Sequence, residues 1–231
     1  MPDHLPKKTI GDVAHAAVDA VASLVPGGSQ LFNLVISTPL SKRRDAWLNR
    51  LYERLVALEA AGFLRIEDLQ HNDEFISTVM QASQVAIRNH QQEKLDALRN
   101  AVVNTALGQS PDDAKREMFL AFIDTFTVWH MKALAFLRNP DGWIGLHGLG
   151  VQENLILGSA EAALYTVFPE LYREPDFRLT LIQDLRSRSL IKPDDSGFEF
   201  ATADGGKGMD VTTRLGREFI DFISDPEKTN G

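Results

Sequence analysis

Along most of the chain, hydrophobic residues recur every three or four positions, the spacing of one face of an α-helix. The spacing is clearest between residues 41 and 139 and predicts a helical bundle there. Each hydrophobic run begins after a residue type that caps helices and stops at one that ends them. The starting residues are Ser41, Asn72 and Ser110, and the ending residues are Gly62, Gly108 and Pro140.

Two details of this bundle follow from the pattern. No glycine or proline interrupts the stretch from Asn72 to Leu107, so it is either one very long helix or two helices that meet near His90. The next helix opens at Ser110 to Asp113 and continues until just before Pro140. Its large apolar residues lie on one side and are expected in the core, with His130 partly buried beside them. These residues are Phe119, Phe122, Phe126 and Trp129.

Residues 1–40 are predicted to form an apolar helical hairpin. A helix from Thr9 to about Leu24 ends at Pro26, and a second from Ser29 to about Ser37 ends at Pro39. Each helix is too short to cross a bilayer, which requires about 20 apolar residues.

The hairpin overlaps an uncharged run of 22 residues, numbers 20–41, that leads directly into Lys42, Arg43 and Arg44. In one interpretation the hairpin packs on the bundle and these three cations are solvated. In the other it inserts at a membrane surface, where the cations meet anionic lipid. The predicted membrane or partner contacts are Leu31, Phe32, Leu34, Val35, Ile36, Lys42, Arg43 and Arg44.

The last part of the chain has a different organisation. Residues 140–158 are glycine-rich and without a period, which predicts a connector. Residues 159–231 then follow the order helix, short strand, hairpin, helix, which predicts a winged-helix-like module. The hairpin is indicated by the alternation of Phe198 and Phe200, and the closing helix by Thr213.

A winged helix suggests DNA binding as an alternative function. The helix before the wing would present Arg178, Gln183, Arg186 and Arg188 to DNA. The wing, however, carries mostly acidic residues, which phosphate repels. The acidic residues are Asp194, Asp195, Glu199, Asp204 and Asp210, against Lys192 and Lys207. The pattern therefore favours protein contact, or a purely structural module, over DNA binding.

Composition narrows the function classes further. The chain has a net charge of −8, no cysteine and 44% hydrophobic residues, as a globular protein does. Lack of cysteine excludes disulfide scaffolds, cysteine-ligated zinc and thiol catalysis. The histidine spacings match no zinc or di-iron motif, and neither a Gly-x-Ser-x-Gly elbow nor a phosphate-binding loop occurs. We therefore expect no catalytic residues, no metal and no cofactor, and a location in the cytoplasm or at the inner membrane face.

The order of these segments resembles bacterial proteins called abortive-infection alpha proteins. The resemblance is carried by Phe32 to Ile36 leading to Pro39 to Arg44, by Arg116 to Phe119, and by Leu185 to Phe219, which includes Thr213-x-Leu215-Gly216. It implies a bacterial protein acting in phage defence or stress, and it supplies no catalytic residues. The expected function is a non-enzymatic one, in which the N-terminal segment engages a membrane surface, a protein partner or a second copy of the chain.

Overall fold

A computed structural model of the chain describes residues 29–140, 142–143, 164, 167–193 and 210–229, without the side chains of residues 29–38 and 228–229. This part is mainly helical, which confirms the predicted all-α class. The helices are α1 Ser29–Ala60, α2 Ile66–Leu69, α3 Asp73–Arg88, α4 Gln92–Ala106, α5 Asp113–Thr125, α6 Val128–Arg138, α7 Pro169–Tyr172, α8 Pro175–Ser187, α9 Arg214–Ile223 and α10 Pro226–Thr229.

Several predicted elements fall beyond these ranges. The helix from Thr9 to Leu24, most of the connector at 140–158 and the hairpin containing Phe198 and Phe200 lie outside the described residues. Within the described ranges there is no strand, only an isolated antiparallel bridge between Ile191 and Thr212.

The first helix corrects a predicted boundary. A helix ending at Pro39 and a new one starting at Ser41 were expected, but α1 runs without interruption from Ser29 to Ala60. Proline inside a helix costs about 3 kcal/mol, because it lacks an N–H donor and its ring crowds the carbonyl four residues earlier, so Pro39 weakens α1 without ending it. Buried side chains then hold the second half of α1 on the bundle. They are Trp47, Leu51, Leu55 and Leu58.

The ends of α1 and α3 agree with the sequence. Gly62 follows α1 in the left-handed conformation, with φ of 81°, as a C-terminal cap requires. Asn72 caps α3, because its side chain accepts a hydrogen bond of 2.9 Å from the Phe75 backbone N–H. Of the two alternatives for the following stretch, two helices is correct, since α3 ends at Arg88 and α4 begins at Gln92.

The aromatic helix is divided in two, contrary to the prediction of one helix. Its first half, α5, ends at Thr125, and α6 leaves at an angle of 120°. The cause is a capping box at Thr127: its backbone N–H donates to Nδ1 of His130 at 3.2 Å, and its side chain accepts from the His130 backbone. Asp112, rather than Ser110, caps α5, accepting from the Lys115 N–H at 3.1 Å.

The core is centred on α9, which packs its aromatic side chains against α5. The ring of Phe219 lies 5.2 Å from Phe119, 5.8 Å from Phe122 and 5.9 Å from Phe126. These three residues are buried, as predicted, whereas Trp129 is half-buried and packs edge-on against Phe168 at 5.7 Å. Buried side chains from Trp47 to Phe222 form one continuous cluster, so the C-terminal helix shares the core of the bundle.

A buried asparagine fixes the end of α9. Asn104 on α4 is 1% exposed, and its amide nitrogen donates to the carbonyls of Asp221, Phe222 and Ser224 at 3.1, 2.8 and 3.0 Å. One turn earlier, Asn100 donates to the carbonyl of Ile223 at 3.0 Å. Carbonyls at a helix end have no partner within the helix, so these two side chains supply the missing donors.

The start of α9 packs closely against the backbone of Leu190. Thr213 accepts a hydrogen bond of 3.0 Å from the Gly216 N–H and donates to the Ser189 carbonyl at 2.6 Å. A Cβ atom on Gly216 would stand 2.0 Å from the carbonyl oxygen of Leu190. The Thr-x-Leu-Gly sequence therefore has a steric reason: threonine caps the helix, and glycine lets it lie against the preceding loop.

We predict that Gly216→Ala destabilises the protein by about 3 kcal/mol, because backbone must move to accommodate the methyl group. Urea unfolding measures the change. Gly62→Ala is the matched control: nothing lies within 4 Å of its Cβ, so only the left-handed conformation opposes it, at about 1–2 kcal/mol. Equal losses in the two variants would contradict the close approach.

We predict that Asn104→Ala costs about 1–3 kcal/mol, because it leaves carbonyls at the end of α9 without a donor. The free energy of unfolding in urea is again the measurement. Asn49→Ala, at an exposed position of α1, is the control and is expected to change stability by less than about 0.5 kcal/mol. A neutral Asn104→Ala would show that water replaces the amide.

Candidate functional site: a basic cleft beside the first helix

A cleft of about 190 Å³ lies between α1 and the turn that joins α3 to α4. From α1 it is lined by Arg43, Ala46, Trp47 and Arg50, whose spacing of three, four and seven places them on one helix face. The opposite wall comes from the end of α3, the turn and the start of α4, through Ala86, Asn89, His90, Gln92 and Leu95. The break between α3 and α4 is thus what creates the cleft.

A buried tryptophan connects the two walls of the cleft. Trp47 is 3% exposed, and its indole N–H donates to the carbonyl of Leu95 at 3.1 Å. This hydrogen bond joins α1 to the first turn of α4.

Arg50 lies at the rim and is oriented by a neutral partner. Its Nη1 donates to Oε1 of Gln92 at 2.7 Å, and Gln92 in turn donates to Asp96 at 3.0 Å. Asp96 pairs with Arg99 at 2.9 Å. The nearest carboxylate in this chain of contacts is therefore satisfied by Arg99, and the charge of Arg50 is not neutralised by it.

The cleft is positively charged in a chain whose net charge is −8. Arg43, Arg50 and His90 line it, and no lining residue is acidic. Within the described ranges, Lys42, Arg43 and Arg50 have no carboxylate partner. Several basic residues elsewhere are paired with carboxylates: Arg54 with Asp225 and Glu227, Arg116 with Glu74 and Asp113, and Arg138 with Asp221.

The N-terminal end of α4 adds to the positive electrostatic potential of the cleft. Helix α4 has 15 residues, and its N-cap residue Gln91 makes no side-chain cap hydrogen bond, so positive backbone N–H groups point toward the turn. Glu93 offsets part of this effect. A hydrogen bond from its own backbone lowers the pKa of its carboxyl, and Lys132 pairs with it at 3.3 Å.

The residues predicted for membrane or partner contact are only partly described. Leu31, Phe32, Leu34, Val35 and Ile36 belong to the backbone of α1, while their side chains lie outside the described residues. Of the three cations that follow, Lys42 and Arg43 are exposed. Arg44 is largely covered and pairs with Asp45 at 3.1 Å.

Of the four residues predicted for DNA contact, Arg188 is the one that the structure places against the bundle. Arg188 lies over the rings of Phe122 and Phe126, 5.0 Å from each centroid, and pairs with Asp184 at 3.0 Å. Gln183 is exposed, while Arg178 and Arg186 are half-buried. Arg188 therefore belongs to the contact between α8 and α5.

The sequence did not indicate Trp47, Arg50, His90 or Gln92 as site residues. The spacing of Arg43 and Arg50 was a usable signal, because seven residues are two helical turns. His90 and Gln92 lie at the turn between α3 and α4, so only the packing of α1 against this turn shows that they face Arg43 and Arg50.

A second polar cluster, built around His130, is buried inside the fold. The His130 ring is 6% exposed and stacks on Phe126 at 4.8 Å, and its Nε2 lies 3.3 Å from Oδ2 of Asp184 without forming a well-aligned hydrogen bond. The buried Lys94 on α4 donates to the carbonyl of Asp124 at 2.9 Å. Because His130 is buried and its Nδ1 serves the cap at Thr127, the cluster acts in packing.

Burial of His130 governs its titration. Desolvation lowers the pKa of the imidazole below its ordinary value of 6.5, and this outweighs the opposite effect of Asp184; Arg188 and Lys94 lower it further. The folded protein therefore holds this histidine neutral at a pH where the unfolded chain binds a proton.

We predict that this difference destabilises the protein as pH falls. Neutral His130 makes its full contribution to the free energy of unfolding above pH 6.5. This contribution is lost as pH falls toward the lowered pKa of the folded state, because the unfolded chain then binds a proton that the folded protein does not. Urea unfolding between pH 7.5 and 5.5 measures it. His130→Gln is the control, since glutamine at this position of a capping box keeps the acceptor without titrating. An equal pH slope in the variant would contradict this assignment.

Three further findings concern the described residues. None of their His, Asp and Glu side chains forms a group of three or more that could hold a metal ion. No single described helix is long and apolar enough to cross a membrane; α5 and α6 meet that criterion only when taken together, across their 120° bend.

Comparison with protein-family models, curated proteins and solved structures finds no match to this chain. The resemblance to abortive-infection alpha proteins therefore stays a prediction.

Proposed function

We propose that the protein is a non-enzymatic interaction protein that docks on an anionic membrane surface through the first half of α1, as a bacterial defence or stress effector would. One observation carries the proposal: exposed Lys42 and Arg43, without carboxylate partners among the described side chains, lie on the same unbroken helix as the apolar segment 31–36. An apolar segment beside unpaired cations is typical of helices that bind at the lipid interface.

The anchoring of α1 supports this arrangement. Its first buried side chain within the described set is Trp47, and residues 39–46 are exposed or half-buried. At about 1.5 Å per residue, the stretch from Ser29 to Ser41 is about 20 Å long. Because the second half of the helix is fixed to the core, the cations and the apolar segment keep a constant relation to each other.

Electrostatics sets the expected strength. Each Lys or Arg close to an anionic leaflet contributes about 1 kcal/mol. Lys42 and Arg43 together then supply about 2 kcal/mol, with burial of the apolar residues adding to it. Because binding combines charge attraction with burial of apolar residues, it requires both anionic lipid and the N-terminal segment.

For residues 159–231 we propose a winged-helix-like module that makes protein contacts or completes the fold. The order of α8, the bridge between Ile191 and Thr212, and α9 supports it. A DNA-binding role gains no support, since Arg188 is paired with Asp184 and packed on the bundle.

The test is flotation of the full chain with vesicles of phosphatidylglycerol or of neutral phosphatidylcholine. We expect flotation with the anionic vesicles alone. Lys42→Gln/Arg43→Gln should weaken binding about 30-fold, because about 2 kcal/mol is lost. A form lacking residues 1–40 should not float. Arg65→Gln/Arg173→Gln is the matched control: it removes two exposed cations elsewhere and should float like the wild type.

Equal flotation of the cation variant and its control would contradict the membrane proposal. The absence of flotation by the intact protein would do the same, and would direct attention to a protein partner or self-association. Retained flotation by the form lacking residues 1–40 would remove the role of the apolar segment.

A further inference from the structure

We propose that the cleft lined by Arg43, Arg50 and His90 binds a phosphomonoester, either a lipid headgroup or a soluble phosphate. If the phosphate belongs to a lipid headgroup, this proposal rests on the proposed membrane docking and specifies which headgroup is recognised. The observation behind it is the concentration of unpaired basic side chains around a formed cleft in an acidic protein.

The charge of the cleft matches that of a monoester. A phosphomonoester carries between −1.5 and −2 charges near neutral pH, since its second pKa is about 6. Arg43 and Arg50 supply two positive charges, and no lining residue is acidic. A phosphodiester carries a single charge and one fewer terminal oxygen, so it satisfies the two guanidinium groups less completely.

Donors remain available for such a ligand. A guanidinium group has five N–H donors, and Arg50 directs Nη1 to Gln92. No acceptor among the described residues is bound to Arg43. Planar guanidinium groups form paired hydrogen bonds with phosphate oxygens, which gives both strength and orientation.

The shape of the cleft suits a small headgroup. Its volume of about 190 Å³ is many times the ~15 Å³ that a single water molecule requires on the same measure. Trp47 and its hydrogen bond to Leu95 connect α1 to α4 below the exposed side chains of Arg43 and Arg50. Arg43 also lies next to Lys42 on α1, which places the cleft beside the surface proposed to face lipid.

The first measurement is calorimetric titration of the full chain with sn-glycerol 3-phosphate, the soluble equivalent of a phosphatidic acid headgroup. Arg50→Gln/His90→Gln is the cleft variant, because it leaves Lys42, Arg43 and Arg44 unchanged. We expect it to bind at least ~10-fold more weakly, since hydrogen bonds to ionised groups are lost. Arg65→Gln/His71→Gln removes the same two residue types at exposed positions and should bind like the wild type.

A second variant distinguishes a loss of ligand binding from a loss of folding. Arg50→Lys retains the charge without the planar fork, and it should weaken binding by less than the double variant while leaving the unfolding midpoint unchanged. If Arg50→Lys and the double variant both bind like the wild type, the cleft is not the site.

Flotation distinguishes the two sources of phosphate. If vesicles of phosphatidic acid bind at least ~10-fold better than those of phosphatidylglycerol at equal surface charge, and Arg50→Gln/His90→Gln abolishes the difference, the ligand is a lipid headgroup. Binding of glycerol 3-phosphate without flotation would support a soluble ligand and overturn the membrane proposal. Equal flotation with both lipids, with no binding of glycerol 3-phosphate, would overturn the cleft proposal and leave membrane docking standing.

Discussion

The fold depends on the insertion of α9 between the helices of the bundle. Phe219 contacts Phe119, Phe122 and Phe126, and Asn104 supplies donors to the carbonyls at the end of the same helix. The apolar contacts provide most of the stabilisation, while the amide makes the position of the helix specific, because an unsatisfied buried carbonyl is costly. Helices α4, α5 and α6, which are far from α9 in sequence, therefore meet around it.

The same packing decides where charge accumulates. In a chain with an excess of acidic residues, helix contacts bring cations to carboxylates, as when Arg54 reaches Asp225 and Glu227 across 171 and 173 residues. Helix α1 also carries three cations, Lys42, Arg43 and Arg50, that have no such partner among the described residues. A locally positive surface on an acidic protein favours anionic ligands without a general affinity for nucleic acid. This contrast motivates both proposals.

Local sequence patterns predicted the helices well and their continuity less well. Asn72 and Gly62 act as caps where expected, because capping depends on neighbouring backbone groups alone. Pro39 did not end a helix, because buried side chains such as Trp47 and Leu51 hold the part of α1 that follows it on the bundle. Thr127 divided the aromatic helix although no glycine or proline marks the position: its cap with His130 becomes favourable because the bend lets both halves bury their aromatic faces.

Sequence alone was sufficient to predict the helical class, the caps at Asn72 and Gly62, and the apolar helix faces. These properties depend on residues at most a few positions apart, so periodicity reveals them. The three-dimensional packing was needed to show that His90 and Gln92 lie opposite Arg43 and Arg50, that Arg188 packs on Phe122 and Phe126, and that Asn104 donates to carbonyls of α9. Those contacts join segments tens of residues apart, and they are selected by the packing of the whole core, which no local pattern encodes.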